Sequence, residues 1–319
     1  MSVLVYAESS EGKFKKVALE VTSYGKKLAE QLGTNLVVLT LNALDSTELY
    51  TYGAEKVLAM KNESIKSLNP KIIANIIQKA TVKENSSVVV IDSSADGLSI
   101  APIVAADLNA GYASNVVDLP ISNSPFVVKR NAFSNKAFNF TELKTEIKVV
   151  GLAKNSFGLK ESKVEGNVEE FSPSLVQSGV ISNSIDKTTG KVTIADADIV
   201  VSGGRGLKGP ENWGIIEDLA DVLGAATACS KPVSDMEWRP HSEHVGQTGK
   251  PVSSNLYVAI GISGAIQHLA GVNASKVKVV INIDAEAPFF KAADYGIVGD
   301  AFEVVPVLTE KLKEFKSNQ

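Results

Sequence analysis

Leu256–Gly271 reads LYVAIGISGAIQHLAG, and the order of residue types in it decides the fold of the second half of the chain. LYVAI is a short apolar run with β-forming residues, and it ends at a glycine. Gly261 and Gly264 enclose a serine-containing turn, and an alanine-rich segment follows that reads as a helix start. Strand, glycine turn and helix in that order form half of a parallel α/β unit, because returning to a parallel neighbour needs a crossover helix. The same order gathers unpaired backbone N–H groups and the positive end of a helix dipole at one point, which suits a phosphate. Gln267 and His268 fall in the first turn, so two polar side chains face that point. The glycine spacing is not G-x-G-x-x-G, so the standard dinucleotide fingerprint is absent.

Outward from this stretch the alternation continues. Asp198–Ser202, Ala225–Ala228 and Val277–Ile283 read as strands, and Asn212–Leu223 and Ala265–Ala270 as helices. Asp294–Gly296 and Phe302–Val305 are expected to close the unit, with Thr309–Lys316 as a basic C-terminal helix. The first hundred residues alternate in the same way. Val3–Ala7, Asn35–Leu41 and Ser87–Ile91 read as strands; Phe14–Leu32, Pro70–Val82 and Gly97–Leu108 read as helices, the first stopped by Gly33. Beyond Asn109 the strand-like runs are short and close together: Asn115–Leu119, Phe126–Arg130, Lys136–Phe140 and Leu143–Val150. They suggest antiparallel strands added to the edge of the first sheet. Gly158–Gln177 reads as a surface strand plus a connection, and the polar stretch Ser182–Lys191 as a boundary. The expected fold is therefore α/β, with two doubly wound parallel-sheet domains, the first carrying added antiparallel edge strands.

Composition agrees with this reading and excludes several functions. The 319 residues suffice for two domains of ordinary size, and 44% hydrophobic with 21% charged residues is ordinary for a globular protein. A net charge of -4 argues against nucleic acid, which needs a basic face. One cysteine excludes an intrachain disulfide, and with three histidines it leaves little for a zinc site. No apolar run is long enough to span a membrane, and MSVLVYAESS enters a strand at once rather than reading as a leader, so a cytoplasmic location is expected.

Five turns in the second half carry chemistry. Ser202–Gly206, SGGRG, lets a backbone approach a ligand closely and offers the donor fork of Arg205, or it is a tight turn with a solvated arginine. Val245–Lys250, VGQTGK, is no phosphate loop, since the spacing fails and Pro251 replaces the magnesium-binding hydroxyl. It presents Gln247 and Thr248 to a flat ligand, or it is a plain hairpin turn. In ACSKPVSD, Cys229 reads as a small packed residue rather than a nucleophile. His241 and His244 have no acidic or thiol partner at metal spacing and are expected on the surface. Asn282, Asp284 and Asp300 lie at or beyond strand ends, where an open parallel sheet holds its ligand, and can meet ribose hydroxyls or an adenine edge. Five such turns converging within about one hundred residues point to one extended ligand with a pyrophosphate.

SGGRG, ENWGIIEDLADVLGAA, SKPVSD, VGQTGK, LYVAIGISGAIQHLAG, INIDAEAPFFKAADYGIVGD and EVVPVLTE resemble, in order and spacing, the α subunit of electron transfer flavoproteins. The resemblance is dense over Asp196–Lys313 and rests on layout alone over residues 1–186. It implies residues 1–186 as an N-terminal α/β domain packing against a β subunit, and residues 187–319 as an FAD-binding, Rossmann-like domain with a C-terminal helix. Carried over by position, the residues expected to touch FAD are Arg205, Ser230 and Lys231, then Val245, Gly246, Gln247 and Thr248. Ser263, Gly264, Ala265, Ile266, Gln267 and His268 follow, with Asn282 and Asp300. The resemblance places the pyrophosphate at Ser263 and Gly264, the adenosine end at Asn282 and Asp300, and the isoalloxazine at Thr248 (its N5) and His268 (its O2). The family usually has arginine where this chain has Lys231, a cation that packs over the flavin ring and favours its reduced, anionic forms. Lysine keeps the charge without the planar stack.

What the resemblance implies is a soluble electron carrier without substrate turnover of its own. It implies an αβ heterodimer that takes electrons from flavoprotein dehydrogenases, such as the acyl-CoA dehydrogenases of fatty acid β-oxidation. The acceptor it implies is a quinone oxidoreductase or another redox protein. Two other readings compete. A self-sufficient FAD-dependent oxidoreductase acting on a small molecule would need a catalytic constellation near the flavin, where only His268 offers itself. A nucleotide-binding regulatory module in the first 110 residues would need a glycine-rich phosphate turn, and Asp92–Gly97 reads as a plain loop.

Overall fold

The computed structural model describes residues 1–65, 67–180, 182–184 and 193–318. Contacts divide the chain into two compact units, Met1–Ala132 with Ala137–Ile185, and Phe133–Lys136 with Asp186–Gln319. Most of the predicted boundary Ser182–Lys191 lies outside the described residues.

The first unit holds β1 (Ser2–Ala7), α1 (Lys16–Leu32), β2 (Asn35–Leu41), β3 (Lys56–Met60), α2 (Pro70–Lys83), β4 (Ser86–Asp92) and α3 (Ala95–Asp107). It continues with β5 (Gly111–Val116), β6 (Phe126–Ala132), β7 (Ala137–Glu142), β8 (Lys148–Leu152) and β9 (Asn167–Glu170). Their order across the sheet is β7-β6-β5-β8-β4-β1-β2-β3-β9. β1 is buried throughout, and its alternation feeds two cores. Val3, Val5 and Ala7 meet Tyr24 and Leu28 of α1, while Leu4 and Tyr6 meet Ile73, Ile77 and Ile100 of α2 and α3. Helices cover both faces, so the inner strands read as unbroken apolar runs. Gly33 ends α1 at φ 63°, its amide turned back onto the carbonyls of Ala29 and Glu30.

Several details differ from the sequence reading. β3 has no counterpart in it, because KVLAM is short and follows a five-residue helix, Thr47–Thr51. Leu143–Val150 is not an antiparallel edge strand. β8 starts at Lys148 and runs parallel to both β4 and β5, deep in the sheet, where Val149 and Val150 are fully buried. Asn115–Leu119 is displaced too: β5 starts at Gly111, and Asn115 adopts φ 55°, close to the shift in its register against β8. The antiparallel addition is confined to β6 and β7, with a two-residue pairing at Ser122–Asn123.

The second unit holds β10 (Ile199–Gly203), α4 (Gly214–Leu223), β11 (Ala226–Cys229), α5 (Lys231–Asp235), β12 (Leu256–Ile260), α6 (Ile266–Val272), β13 (Val277–Asn282), β14 (Tyr295–Val298) and α7 (Ala301–Ser317). Its five strands are all parallel, in the order β11-β10-β12-β13-β14. Val201, Val258, Ile260 and Ile281 pack on α4 and α7 through Ile216, Leu219 and Val305. Val200, Tyr257, Ala259 and Val280 pack on the opposite face with Val245, Val272 and Phe289.

Phe302–Val305 is not a strand. It lies in α7, which continues through Pro306. Asp300 caps the helix by accepting from the Phe302 amide at 2.9 Å, and Ala301, Val305 and Thr309 are buried at a spacing of one helical turn. That apolar stripe against the sheet outweighs the one amide that Pro306 cannot donate.

Candidate functional site

In the second unit the chain starts at β10, steps outward to β11, then returns past β10 to β12. The strand order therefore reverses between β10 and β12, and a crevice opens there beyond the carboxyl ends of the strands. The turns leaving those two strands are SGGRG and GISG. Their backbones touch: the Gly204 amide donates to the Ile260 carbonyl at 2.9 Å, and Gly206 to Gly261 at 3.1 Å. A Cβ on Gly204 would lie 2.2 Å from the Gly261 carbonyl oxygen, and one on Gly206 2.7 Å from the Gly261 Cα. Gly261 adopts φ 63° and Gly264 φ 83°, both in the left-handed region that favours glycine. A Cβ on Gly264 would meet the Phe289 amide nitrogen at 2.5 Å. These glycines are required by close backbone approach.

The remaining predicted turns join the same edge. The Ser230 amide donates to the Gly203 carbonyl at 3.1 Å, and Val245 to Cys229 at 3.0 Å. Gln247 donates through its backbone to the Gln267 carbonyl at 2.8 Å, and a Cβ on Gly271 would meet Gly246 at 2.6 Å, so the VGQTGK loop crosses α6 in contact. Asn282 donates its side-chain amide to the Ile262 carbonyl at 3.0 Å and accepts from the Asp284 amide at 3.0 Å. The Gly299 amide donates to the Asn282 carbonyl at 3.0 Å, which brings Asp300 alongside. The predicted site residues thus stand on turns, a strand end and helix starts at the carboxyl edge of one sheet.

Burial sorts them. Gly264, Val245, Gly246, Ser230 and His268 are buried and set the shape of the edge, and Asn282 and Asp300 are half-buried. Arg205, Lys231, Gln247, Thr248, Ser263, Ala265, Ile266 and Gln267 are exposed along it. Asp300 is engaged as the cap of α7 and lies 4.0 Å from the Lys208 ammonium. Lys231 is 2.9 Å from both carboxylate oxygens of Asp235.

Helix starts are closed in two ways: α1 at Lys15 and α6 at Ala265 begin without a side-chain cap, whereas Asp300 caps α7. In the first unit Asn69 and Ser94 cap α2 and α3 with their own side chains, and Asp92 accepts from the Ser94 amide at 2.7 Å. Asp92–Gly97 is thus closed by its own residues. α6 follows Ala265, which has no side-chain acceptor; the His268 amide turns back onto the Ala265 carbonyl at 2.8 Å, and the amides of Ile266 and Gln267 stay available. With seven residues α6 is short, and these amides matter more than its dipole.

His268 faces this edge from α6. Its Nε2 lies 3.0 Å from the Tyr257 hydroxyl, its Nδ1 is buried without a hydrogen-bond partner among the described residues, and its ring tilts against Phe289 at 6.0 Å between centroids. Burial first, then His244, holds its pKa down to about 4, against a smaller pull upward from the backbone of Val245, which lies near the ring without meeting hydrogen-bond geometry. The imidazole is neutral at pH 7. Tyr257 is held protonated by burial. When its hydroxyl donates to Nε2, the proton of His268 sits on Nδ1, and that unpartnered atom becomes a donor. Cys229 is fully buried and its thiol is pushed up to about 12, first by burial and then by Glu243. It is a packed side chain without nucleophilic character.

His244 departs from expectation: it is 2% exposed, not on the surface. Its backbone bridges to Cys229 beside the end of β11, which draws the ring inward. Tyr257, Phe289 and His244 were not singled out in the sequence as site residues. The first two occupy core positions of the strand alternation, and His244 sits in a polar run, HSEH, with no apolar flank on its N-terminal side.

Among the described residues no cluster of His, Cys, Asp and Glu could hold a metal ion, and no helix is long and apolar enough to cross a membrane. Comparison with known proteins matches residues 3–176 to the electron transfer flavoprotein domain and residues 193–273 to the electron transfer flavoprotein FAD-binding domain. The chain is similar to the electron transfer flavoprotein subunit alpha of Bacillus subtilis, 36% identical over 317 residues that cover 98% of this chain and 97% of that one. It is 36% identical over 316 residues to a probable electron transfer flavoprotein subunit alpha, mitochondrial, of Caenorhabditis elegans, covering 98% and 93%. To Protein FixB of Clostridium saccharobutylicum it is 32% identical over 324 residues, covering 99% and 97%.

Proposed function

The chain belongs to the electron transfer flavoprotein family as an α subunit, and from that premise we propose that FAD lies along the carboxyl edge of the second sheet. The family pairs this chain with a β subunit and makes it an electron carrier with FAD as cofactor. The observation that carries the placement is the contact of the SGGRG and GISG backbones where the strand order reverses.

The residues present fit the group. The uncapped start of α6 and the tight Gly261–Gly264 turn suit a pyrophosphate. The half-buried Asn282 and Asp300 suit the adenosine end. Exposed Gln247 and Thr248 face a flat ring system, and the unpartnered Nδ1 of His268 suits a carbonyl at its rim. Arg205 and Lys231 supply positive charge around it. When bound, FAD supplies the reversible gain and loss of electrons. This chain's residues hold the phosphates, exclude water from one edge of the ring through Tyr257, Phe289 and His268, and offer a proton at His268 Nδ1. Residues 1–186 form the part that meets the β subunit, and residues 187–319 the FAD-binding part. The electron donor is a flavoprotein dehydrogenase of the acyl-CoA dehydrogenase type, acting in fatty acid β-oxidation, and the acceptor is a quinone oxidoreductase.

Coexpression with the β subunit tests the reading. A yellow complex releasing one FAD per heterodimer, reduced by an acyl-CoA dehydrogenase with its substrate, is the expected result. A colourless complex, or a chain that turns over a small molecule alone, would overturn it.

A further inference from the structure

His244 is a buried imidazole that the proposed cofactor contacts leave unused. It is 2% exposed, and its Nδ1 has no hydrogen-bond partner among the described residues. Bringing a polar ring out of water without partners costs on the order of 1–3 kcal/mol. The ring is nevertheless well held. It follows the turn His241–Glu243, which Arg239 clamps by donating to both carboxylate oxygens of Glu243, at 2.8 and 2.7 Å. Gly249 leaves room for it, since a Cβ there would meet the ring at 2.9 Å. His244 also stands next to the turn of α6 that carries His268. A Cβ on Gly246 would lie 3.4 Å from His244 Nε2 and 3.2 Å from the Gln267 carbonyl oxygen, so one residue separates the two segments. On its other side His244 meets the exposed His241, with ring centroids 5.2 Å apart.

From this placement we infer that His244 is a positioning residue for His268: the two buried imidazoles form an electrostatically coupled pair that admits one proton between them, entering from the side of His241 and residing on His244. Two cations cannot share so small a buried space, so the first proton excludes the second. While His244 holds the proton, His268 stays neutral and its Nδ1 keeps the single proton it can offer to a carbonyl. The groups facing His244 agree with that order. His241 on its own turn and Lys231 on α5 disfavour its charge, Asp235 on α5 favours it, and the Cys229 thiol at the end of β11 is neutral. Around His268 stand the neutral Tyr257 and the apolar Phe289, with His244 as the nearest charge. The role of the pair toward the flavin rests on the proposed FAD placement; its shared titration does not.

The test follows the imidazole resonances of 15N-histidine-labelled α–β complex from pH 7.5 to 4, with the flavin absorbance read in the same samples. His244→Gln removes the competing charge, and the apparent pKa of His268 is expected to rise by half a unit or more. His268→Gln should leave that of His244 within about 0.2 units, because His268 is neutral while His244 titrates. His244→Asn keeps the question answerable if His244→Gln does not fold. His241→Gln leaves the pair intact and His268 within 0.2 units, on the order of the exposed-pair effects that water screens. An apparent pKa of His268 that does not move when His244 is replaced, or one of His244 that moves when His268 is, overturns the proposal. Retained yellow colour with either of those results refutes the pair and spares the FAD reading, whereas loss of colour in the wild-type complex refutes the reading and spares the pair.

Discussion

His268 is 6% exposed, and its pKa is held down to about 4, first by burial and then by His244. In an unfolded chain a histidine titrates near 6.5. The folded value is the lower one, so between about pH 6.5 and 4 the unfolded state binds more protons, and stability falls as pH drops through that window. Above it the group contributes no pH dependence. At one unit per 1.4 kcal/mol, the loss from this group reaches about 3 kcal/mol near pH 4. We expect His268→Gln to flatten the decline in unfolding free energy between pH 7 and 4.5, measured by urea titration at several pH values. A slope equal to the wild type would show the imidazole to be solvated. Lys231 acts at the same scale in the opposite setting. A unit charge about 4 Å from a flavin is worth roughly 4 kcal/mol at an effective dielectric near 20. Lys231, however, is 57% exposed and paired with Asp235, so much of that field is screened. Lys231→Gln is therefore expected to lower the flavin midpoint potential by no more than about 60 mV, one factor of ten for one electron. A raised potential would remove Lys231 from the flavin's surroundings.

Turns and helix ends were the elements most legible in the sequence. Gly261 and Gly264 announced a turn that only small residues fit, and the structure shows why: each takes a left-handed conformation against neighbouring backbone. Gly204→Ala places a methyl 2.2 Å from the Gly261 carbonyl and must part the two turns. The expected result is a folded complex whose FAD is lost on gel filtration, read from the ratio of flavin to protein absorbance; full FAD retention would show that the two turns need not touch. α7 was the least legible. Pro306 reads as a helix breaker, and the stripe Ala301, Val305, Thr309 becomes informative only once a sheet stands beside it. Asp300→Ala should cost about 1 kcal/mol of stability through the lost cap, measured by chemical denaturation. A change below 0.3 kcal/mol, on the order of an exposed surface substitution, would show that the helix starts without it. β8 was misplaced for a related reason: a short valine run looks the same on an edge as in the middle of a sheet, and only the neighbours on both sides tell them apart.

At the scale of the whole molecule, two alternating α/β halves can be read from periodicity, because helices on both faces leave buried strands as plain apolar runs. The neighbours of each turn cannot be read that way. Strand order decides them, and the order β11-β10-β12-β13-β14 sets SGGRG beside GISG across the reversal. His244 shows the same limit, since its burial comes from a bridge to Cys229, fifteen positions away in the chain. The first sheet also reverses its order, between β1 and β4, yet its helix α3 is capped by Ser94 and its turn is held by Asp92. The turns after β4 and β12 therefore differ in what they can accept: the first is closed by its own side chains, the second presents the amides of Ile266 and Gln267 and an unpartnered imidazole nitrogen. Amide hydrogen exchange of the α–β complex, with FAD removed and then restored, separates them most directly. Restored FAD is expected to slow exchange in residues 203–206, 245–250, 261–268 and 298–300 and to leave residues 92–97 unchanged. Protection at 92–97 without protection at 261–268 would contradict the proposed FAD placement.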